Sequence, residues 1–158
     1  SDARFYPFLS AMGLDSLVTK GWFAVQLRHG PTDTPLRLLN THMQADYDVS
    51  PDLWLPQTEA VRMAQCQQLY TTEARMHAII ACPTFVIGDL NTEECWFSHR
   101  TWLTPPSVTF PSTQQSLDHC VDLFPTSANG FTLRNHQVHT RVAHSDHFPV
   151  SWTFHIAP

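Results

Sequence analysis

The sequence predicts an α/β domain, and three stretches predict it. Residues 57 to about 77 read as one helix. After Pro83 come Phe85, Val86 and Ile87, a continuous run of aromatic and β-branched residues with the pattern of a strand buried on both faces. Upstream, residues 22–29 and 36–42 flank a turn-rich stretch, Gly30 to Pro35, and read as an antiparallel hairpin. A helix feeding a buried strand is an αβ layer.

Residues 1–20 mix aromatic and polar side chains without a period and read as loop and edge. Residues 43–56 read as loop, with Trp54 between Leu53 and Leu55 as an exposed apolar tip. In the helix, Pro56 suits the first turn and Glu59 the positive end of the dipole; Val61, Ala64, Leu69 and Met76 share a face, with Arg75 near the C-terminal end. Gly88 allows a tight turn after the buried strand. Asp89 and Asn91, spaced by two, point the same way if the chain stays extended there. Trp96, Phe97 and Trp102 cluster before Pro105 and Pro106. They either pack beneath an ordered loop at 109–112 or form an aromatic rim facing lipid. Residues 116–124 read as a strand, Asn129-Gly130 as a hairpin turn, 131–142 as one or two strands, and 148–156 as the closing strand. With no repeat and no linker, 1–158 is read as one domain.

Composition narrows the function. The chain is 42% hydrophobic and 15% charged, an ordinary globular balance. Its formal net charge is −5, and Lys20 is its only lysine. A nucleic-acid partner is therefore disfavoured, since phosphate neutralisation supplies most of such affinity. Cys66, Cys82, Cys95 and Cys120 form no CxxC pair; disulfides and buried thiols both stay open. No apolar run reaches the roughly 18 residues needed to span a bilayer, and no secretory signal is visible. The sequence opens at Ser1 rather than Met, as a fragment, a processed product or an incomplete reading would.

Four polar clusters stand at the ends of expected strands: Asn40-Thr41-His42, Gly88-Asp89-Leu90-Asn91, Ser116-Leu117-Asp118-His119, and His144-Ser145-Asp146-His147 before Phe148-Pro149-Val150. Acid and imidazole groups at strand ends are how α/β enzymes assemble a site at one rim of a sheet. In order and spacing these clusters resemble the C-terminal part of the endonuclease/exonuclease/phosphatase superfamily, as does Lys20-Gly21 before the first strand. The resemblance runs from about residue 20 to residue 152. It implies a two-sheet α/β sandwich with its N-terminal strands missing, the chain being the C-terminal portion of such a domain.

The resemblance also implies roles. His42 matches a histidine contacting the scissile phosphate, Asp89 and Asn91 a pair orienting the attacking water and phosphoryl oxygens, and Asp118 a carboxylate orienting the final histidine. Asp146 matches a metal-site carboxylate and His147 the histidine usually cast as general base; whether Asp89 or His147 takes the proton stays open. Asn91 is also placed at the metal, Mg²⁺ or Mn²⁺. The family's metal-binding Glu has no match before Lys20, so an N-terminal segment or a partner chain is expected to complete the sheet and the site. The implied activity is metal-dependent hydrolysis of a phosphodiester or phosphomonoester. Thr41 to Ala45 resembles the sphingomyelinase stretch, and this tilts the substrate towards a phospholipid or phosphorylated small molecule, with a membrane surface admissible and a nuclease still open. The alternative is a catalytically inactive module with a structural or binding role. A zinc site at His136, His139, His144 and His147 is disfavoured because structural zinc favours cysteine ligands. Cys95 with His99 is a weaker pairing still. Glu93 and Glu94 read as a solvated turn, and Arg134 and Arg141 as exposed strand residues.

Overall fold

The computed structural model describes residues 3–46, 51–92, 101–103, 108–125, 131–142 and 145–156, with backbone alone for 51–56 and 101–102. The elements are β1 (Ala3–Pro7), β2 (Gly21–His29), β3 (Thr34–His42), α1 (Pro51–Ile79), β4 (Thr84–Asp89), β5 (Thr101–Trp102), β6 (Asp118–Asp122), β7 (Phe131–Val138) and β8 (Val150–Ile156). A short 3-10 helix, Gly13–Leu17, lies between β1 and β2.

Strands β1-β2-β3-β4-β6-β5 form one six-stranded sheet, in that order, and β7-β8 a two-stranded sheet. Only β3 and β4 run parallel in the larger sheet. A parallel pair needs a long crossover, and α1 supplies it. The expected hairpin is β2–β3 and the expected buried strand is β4, central in the sheet.

The pleat sends alternate residues to opposite faces. On one face Trp22, Ala24, Leu39, Val86 and Val121 pack with Cys66 and Leu69 of α1. On the other, Phe85 meets Phe131 and Phe154 of the smaller sheet, ring centroids 5.8 and 4.7 Å apart. The molecule is thus layered as helix, sheet, sheet.

Several local expectations are corrected. Residues 1–20, read as loop and edge, hold an edge strand, β1, and add a 3-10 helix that was not expected. The helix begins at Pro51, not residue 57, so Pro56 lies inside it. Pro56 is the sixth residue of the helix, beyond the four N–H groups that have no internal partner, so it removes one backbone donor from the second turn. The buried face of α1 is also not the expected one. Ala64 is exposed and Val61 and Met76 are half-buried, while Thr58, Arg62, Gln65, Cys66, Leu69 and Glu73 are buried. Residues 131–142, read as one or two strands, hold one, which ends at Val138; His139 N–H then donates to the Pro149 carbonyl (2.8 Å) and the chain turns. Cys66, Cys82 and Cys120 are buried and reduced. The side chains of Trp54 and Trp102, and Glu93, Glu94, Cys95, Trp96, Phe97, His99, Pro105, Pro106, Asn129, Gly130 and His144, lie outside the described residues.

Candidate active site

Register builds the site. His42 closes β3 opposite Asp89 at the end of β4, and Asp89 lies opposite Asp118 at the start of β6. Three adjacent strands therefore deliver imidazole, carboxylate and carboxylate along one line at one rim. Gly88 lies inside β4 rather than in a turn after it, and the strand requires glycine there: its φ is +121°, and a Cβ would lie 2.1 Å from the Thr41 carbonyl oxygen. The same close approach sets β3 against β4 beside His42.

The fourth cluster arrives from the smaller sheet's side. Phe148 N–H donates to the Thr109 carbonyl (2.8 Å), docking the segment before β8 on the 109–115 loop. That loop is ordered as expected, with reciprocal backbone bonds between Phe110 and Gln115. His147 Nδ1 lies 2.7 Å from Asp118 Oδ2, and its ring packs on Phe110 with centroids 4.7 Å apart. Since a carboxylate only accepts, Nδ1 carries the proton and Nε2 is left towards Asp89 Oδ2, 3.5 Å away. His42 Nε2 lies 3.5 Å from the same oxygen. Asp89 Oδ2 thus stands between two imidazoles, while its Oδ1 accepts the Asn91 N–H at 2.8 Å.

Asn91 differs from expectation. Its φ is +53°, so the chain bends into the left-handed region rather than staying extended. Asn tolerates that conformation, and the carboxylate–amide bond from Asp89 is the local turn that favours it. Its Nδ2 donates to the Met43 carbonyl (3.2 Å), which leaves the side-chain oxygen as its acceptor end.

Burial and charge tune these groups. Burial pushes the Asp89 carboxyl above the usual range; the Asn91 N–H and the two histidines oppose this, while Asp118 adds to it. For His147 burial alone would lower the imidazole, but the Asp118 hydrogen bond and the charges of Asp118, Asp89 and Asp146 outweigh it, and the net direction is upward. His42, Asp89, Asn91, Asp118, Asp146 and His147 all line one cavity of about 1070 Å³.

Sequence reading missed several supporting groups. Thr109 Oγ1 accepts the N–H groups of Leu117 and Asp118 (2.9 and 3.1 Å) and so sets the start of β6. Arg62 and Asp46 line the cavity, joined by a 2.6 Å ion pair. Arg62 follows the helical period and Thr109 sits in a loop already read as ordered, but neither type announces its role. His136 lies on β7, and His139 Nε2 is 2.9 Å from Ser151 Oγ. Among the described residues no three His, Cys, Asp or Glu side chains are grouped to hold a metal ion. The Asn91 oxygen and Asp146 carboxylate are the hard oxygen donors that Mg²⁺ or Mn²⁺ takes, so they fit as part of a donor set and do not close one.

No sequence-family profile and no curated protein sequence matches the chain. Solved structures do. SmcL superposes with a TM-score of 0.67 at 20% identity, over 94% of this chain and 63% of that one. Sphingomyelinase C from Streptomyces griseocarneus gives 0.64 at 17%, over 99% and 64%. TDP2 of D. rerio, complexed with a single-strand DNA product, gives 0.67 at 11%, over 98% and 67%. This chain has the endonuclease/exonuclease/phosphatase fold. It spans less than two-thirds of the length of SmcL and of the Streptomyces enzyme. The endonuclease/exonuclease/phosphatase fold accounts for the mixed sheet, the second sheet packed on Phe85, and the rim where the polar clusters gather.

Proposed function

We propose that the site hydrolyses a phosphoester by attack of water, with a phospholipid or phosphorylated small molecule preferred over nucleic acid. The observation that carries this is the Asp118–His147 pair, 2.7 Å apart, with Nε2 turned towards Asp89 in the cavity. A phosphoester carries negative charge that repels hydroxide, so the reaction needs a base of near-neutral pKa and donors around the phosphoryl oxygens. Asp118 holds His147 in the tautomer whose Nε2 accepts a proton from water. His42, on the other side of Asp89, contacts the phosphate and assists the leaving oxygen. Asp89 and Asn91 orient the water and the phosphoryl oxygens; with its carboxyl raised by burial, Asp89 is the second candidate for the proton.

A divalent cation, Mg²⁺ or Mn²⁺, would be held by Asp146 and Asn91 together with ligands from outside the described residues, and when bound would neutralise phosphoryl charge. The preference against nucleic acid rests on the net charge of −5 and the single lysine. A further strand-forming segment, or a partner chain, would complete the fold. Phe5 and Phe23 pair across β1–β2 and remain exposed, as does Leu27, on the sheet face that packs on β7–β8 at Phe85. The second reading, a catalytically inactive module, is favoured by the want of a grouped metal-ligand set among the described residues.

The test is hydrolysis of bis-p-nitrophenyl phosphate and of sphingomyelin, with and without chelator, by the chain joined to its completing segment. His147→Ala should lower the rate by roughly 10²–10⁴-fold. Activity that survives chelator, or an unaffected His147→Ala variant, refutes the mechanism. No turnover by the completed protein leaves the inactive module.

A further inference from the structure

We propose that the segment between β1 and β2 is a docking surface for an electrically neutral phospholipid bilayer, held at the rim of the cavity. This rests on the phosphoester reading above and specifies where its lipid substrate would be presented.

Four aliphatic side chains crowd this segment: Leu9, Leu14, Leu17 and Val18 are 87, 64, 79 and 59% exposed. Single exposed leucines are normal, but four within ten residues make a patch. Between residues 8 and 19 the only charged residue is Asp15, and it is buried against Lys20 at 2.7 Å. The surface offered is aliphatic and uncharged.

The segment is pinned rather than loose. Leu9 N–H donates to Gln68 Oε1 (2.9 Å), and Gln65 Nε2 donates to the Ser10 carbonyl (2.8 Å), both from α1. Met12 N–H donates to Gln44 Oε1 (3.0 Å), and Ala45 N–H donates to Asp15 Oδ2 (3.0 Å). Lys20 Nζ donates to the Met43 carbonyl (2.8 Å), the acceptor also used by Asn91. Ala45 lines the cavity. The aliphatic patch is therefore bonded directly to the edge of the candidate active site.

Its composition selects the occupant. Protein interfaces concentrate their energy in Trp, Tyr and Arg, and Leu, Val, Ser and Thr are under-represented among their hot spots; this patch consists of the latter. A bilayer asks only for apolar area. Anionic membranes recruit proteins through clustered Lys and Arg. Here the sole lysine is half-buried in an ion pair with Asp15 and the net charge is −5, so a neutral, choline-type surface is the matching one.

Flotation of the full chain with phosphatidylcholine vesicles, with and without phosphatidylserine, tests this. The chain should bind the neutral vesicles and bind less as phosphatidylserine is added. Leu14→Ser/Leu17→Ser should lower partitioning by roughly 10- to 100-fold, from the apolar area withdrawn, with an unchanged melting curve because both residues face solvent. Leu14→Ile/Leu17→Ile should bind as the parent does. No binding to neutral vesicles, stronger binding to anionic ones, or full binding by the double-Ser variant overturns the proposal. So does self-association of the chain that the double-Ser variant abolishes, which would assign the patch to a contact between copies. Turnover of a water-soluble phosphodiester without vesicle binding would sink the docking surface alone. Vesicle binding through the leucines without any turnover would sink the catalytic reading alone.

Discussion

Replacing Asp118 by Asn tests the site at its tightest contact. Asn keeps the shape and an acceptor oxygen but removes the charge that His147 Nδ1 meets at 2.7 Å. A hydrogen bond to a charged group contributes about 1.5–3 kcal/mol and a neutral one about 0.5–1.5, so the charge is worth about 1–2 kcal/mol. That converts to roughly 5- to 30-fold in rate. The loss approaches the full general-base factor, roughly 10²–10⁴, if the Asn amide turns and donates, because Nε2 would then carry the proton. Titration is the cleaner reading. In the parent, the Asp118 bond and charge help lift the imidazole above its ordinary value against burial. Without them burial opposes only Asp89 and Asp146, and the His147 midpoint, followed by NMR of the ring proton, should fall.

The sign of the stability effect follows from the same shift. A histidine with a raised folded pKa contributes stability that is fully present below its unfolded pKa and is lost as pH rises through the folded one. The destabilisation of Asp118→Asn should therefore be larger in mildly acidic buffer than in alkaline buffer. In the rate, His147→Ala/Asp118→Asn should be no slower than His147→Ala alone, since both act through one proton transfer. An unmoved His147 midpoint, or losses that multiply in the double variant, would refute the dyad.

Three further outcomes are expected. Glu73→Ala should cost about 3 kcal/mol in urea unfolding, because it strands Arg37, 4% exposed and 3.5 Å from the Glu73 carboxylate, and breaks the Trp22 Nε1 bond of 3.0 Å. The low end of the range fits a loose pair in which burial already pushes the Glu73 carboxyl upward. Gly88→Ala should cost more than about 2 kcal/mol and displace Asp89, since its Cβ would strike the Thr41 carbonyl; an unchanged melting temperature would count against this close approach of β3 to β4. Ellman's reagent should fail to label Cys120 in the native state at neutral pH, because burial and then Asp122 push its thiol up to about 12.

The rim of the sheet was legible because strand ends fix side chains with few degrees of freedom. Once His42, Asp89 and Asp118 are placed at the ends of β3, β4 and β6, register alone brings them together. The buried strand was legible for a related reason: Phe85, Val86 and Ile87 are aromatic and β-branched, and Pro83 and Gly88 keep the run too short for a helix. The left-handed turn at Asn91 was not, since extension and a bend both place polar atoms near Asp89 and only the Asn91 N–H bond to its carboxylate decides between them.

The helix shows why a correct element can carry a wrong face. Residues 58, 62, 65, 69 and 73 recur at helical spacing and are all buried, yet only Leu69 among them is apolar. A period counted in apolar residues cannot find that stripe. The stripe is polar because it binds backbone and polar side chains outside the helix. Gln65 meets Ser10 and Gln44, Arg62 meets the Gln44 carbonyl and Asp46, and Glu73 meets Trp22. Buried polar groups persist where they satisfy loops that have no secondary structure to satisfy them. Of the loops in question, residues 8–20 and 43–46, the second reaches the cavity through Ala45 and Asp46 and carries the Met43 carbonyl that receives both Lys20 and Asn91. The misread face of α1 is thus part of what positions the site, and its polarity records the irregular backbone it must hold in place.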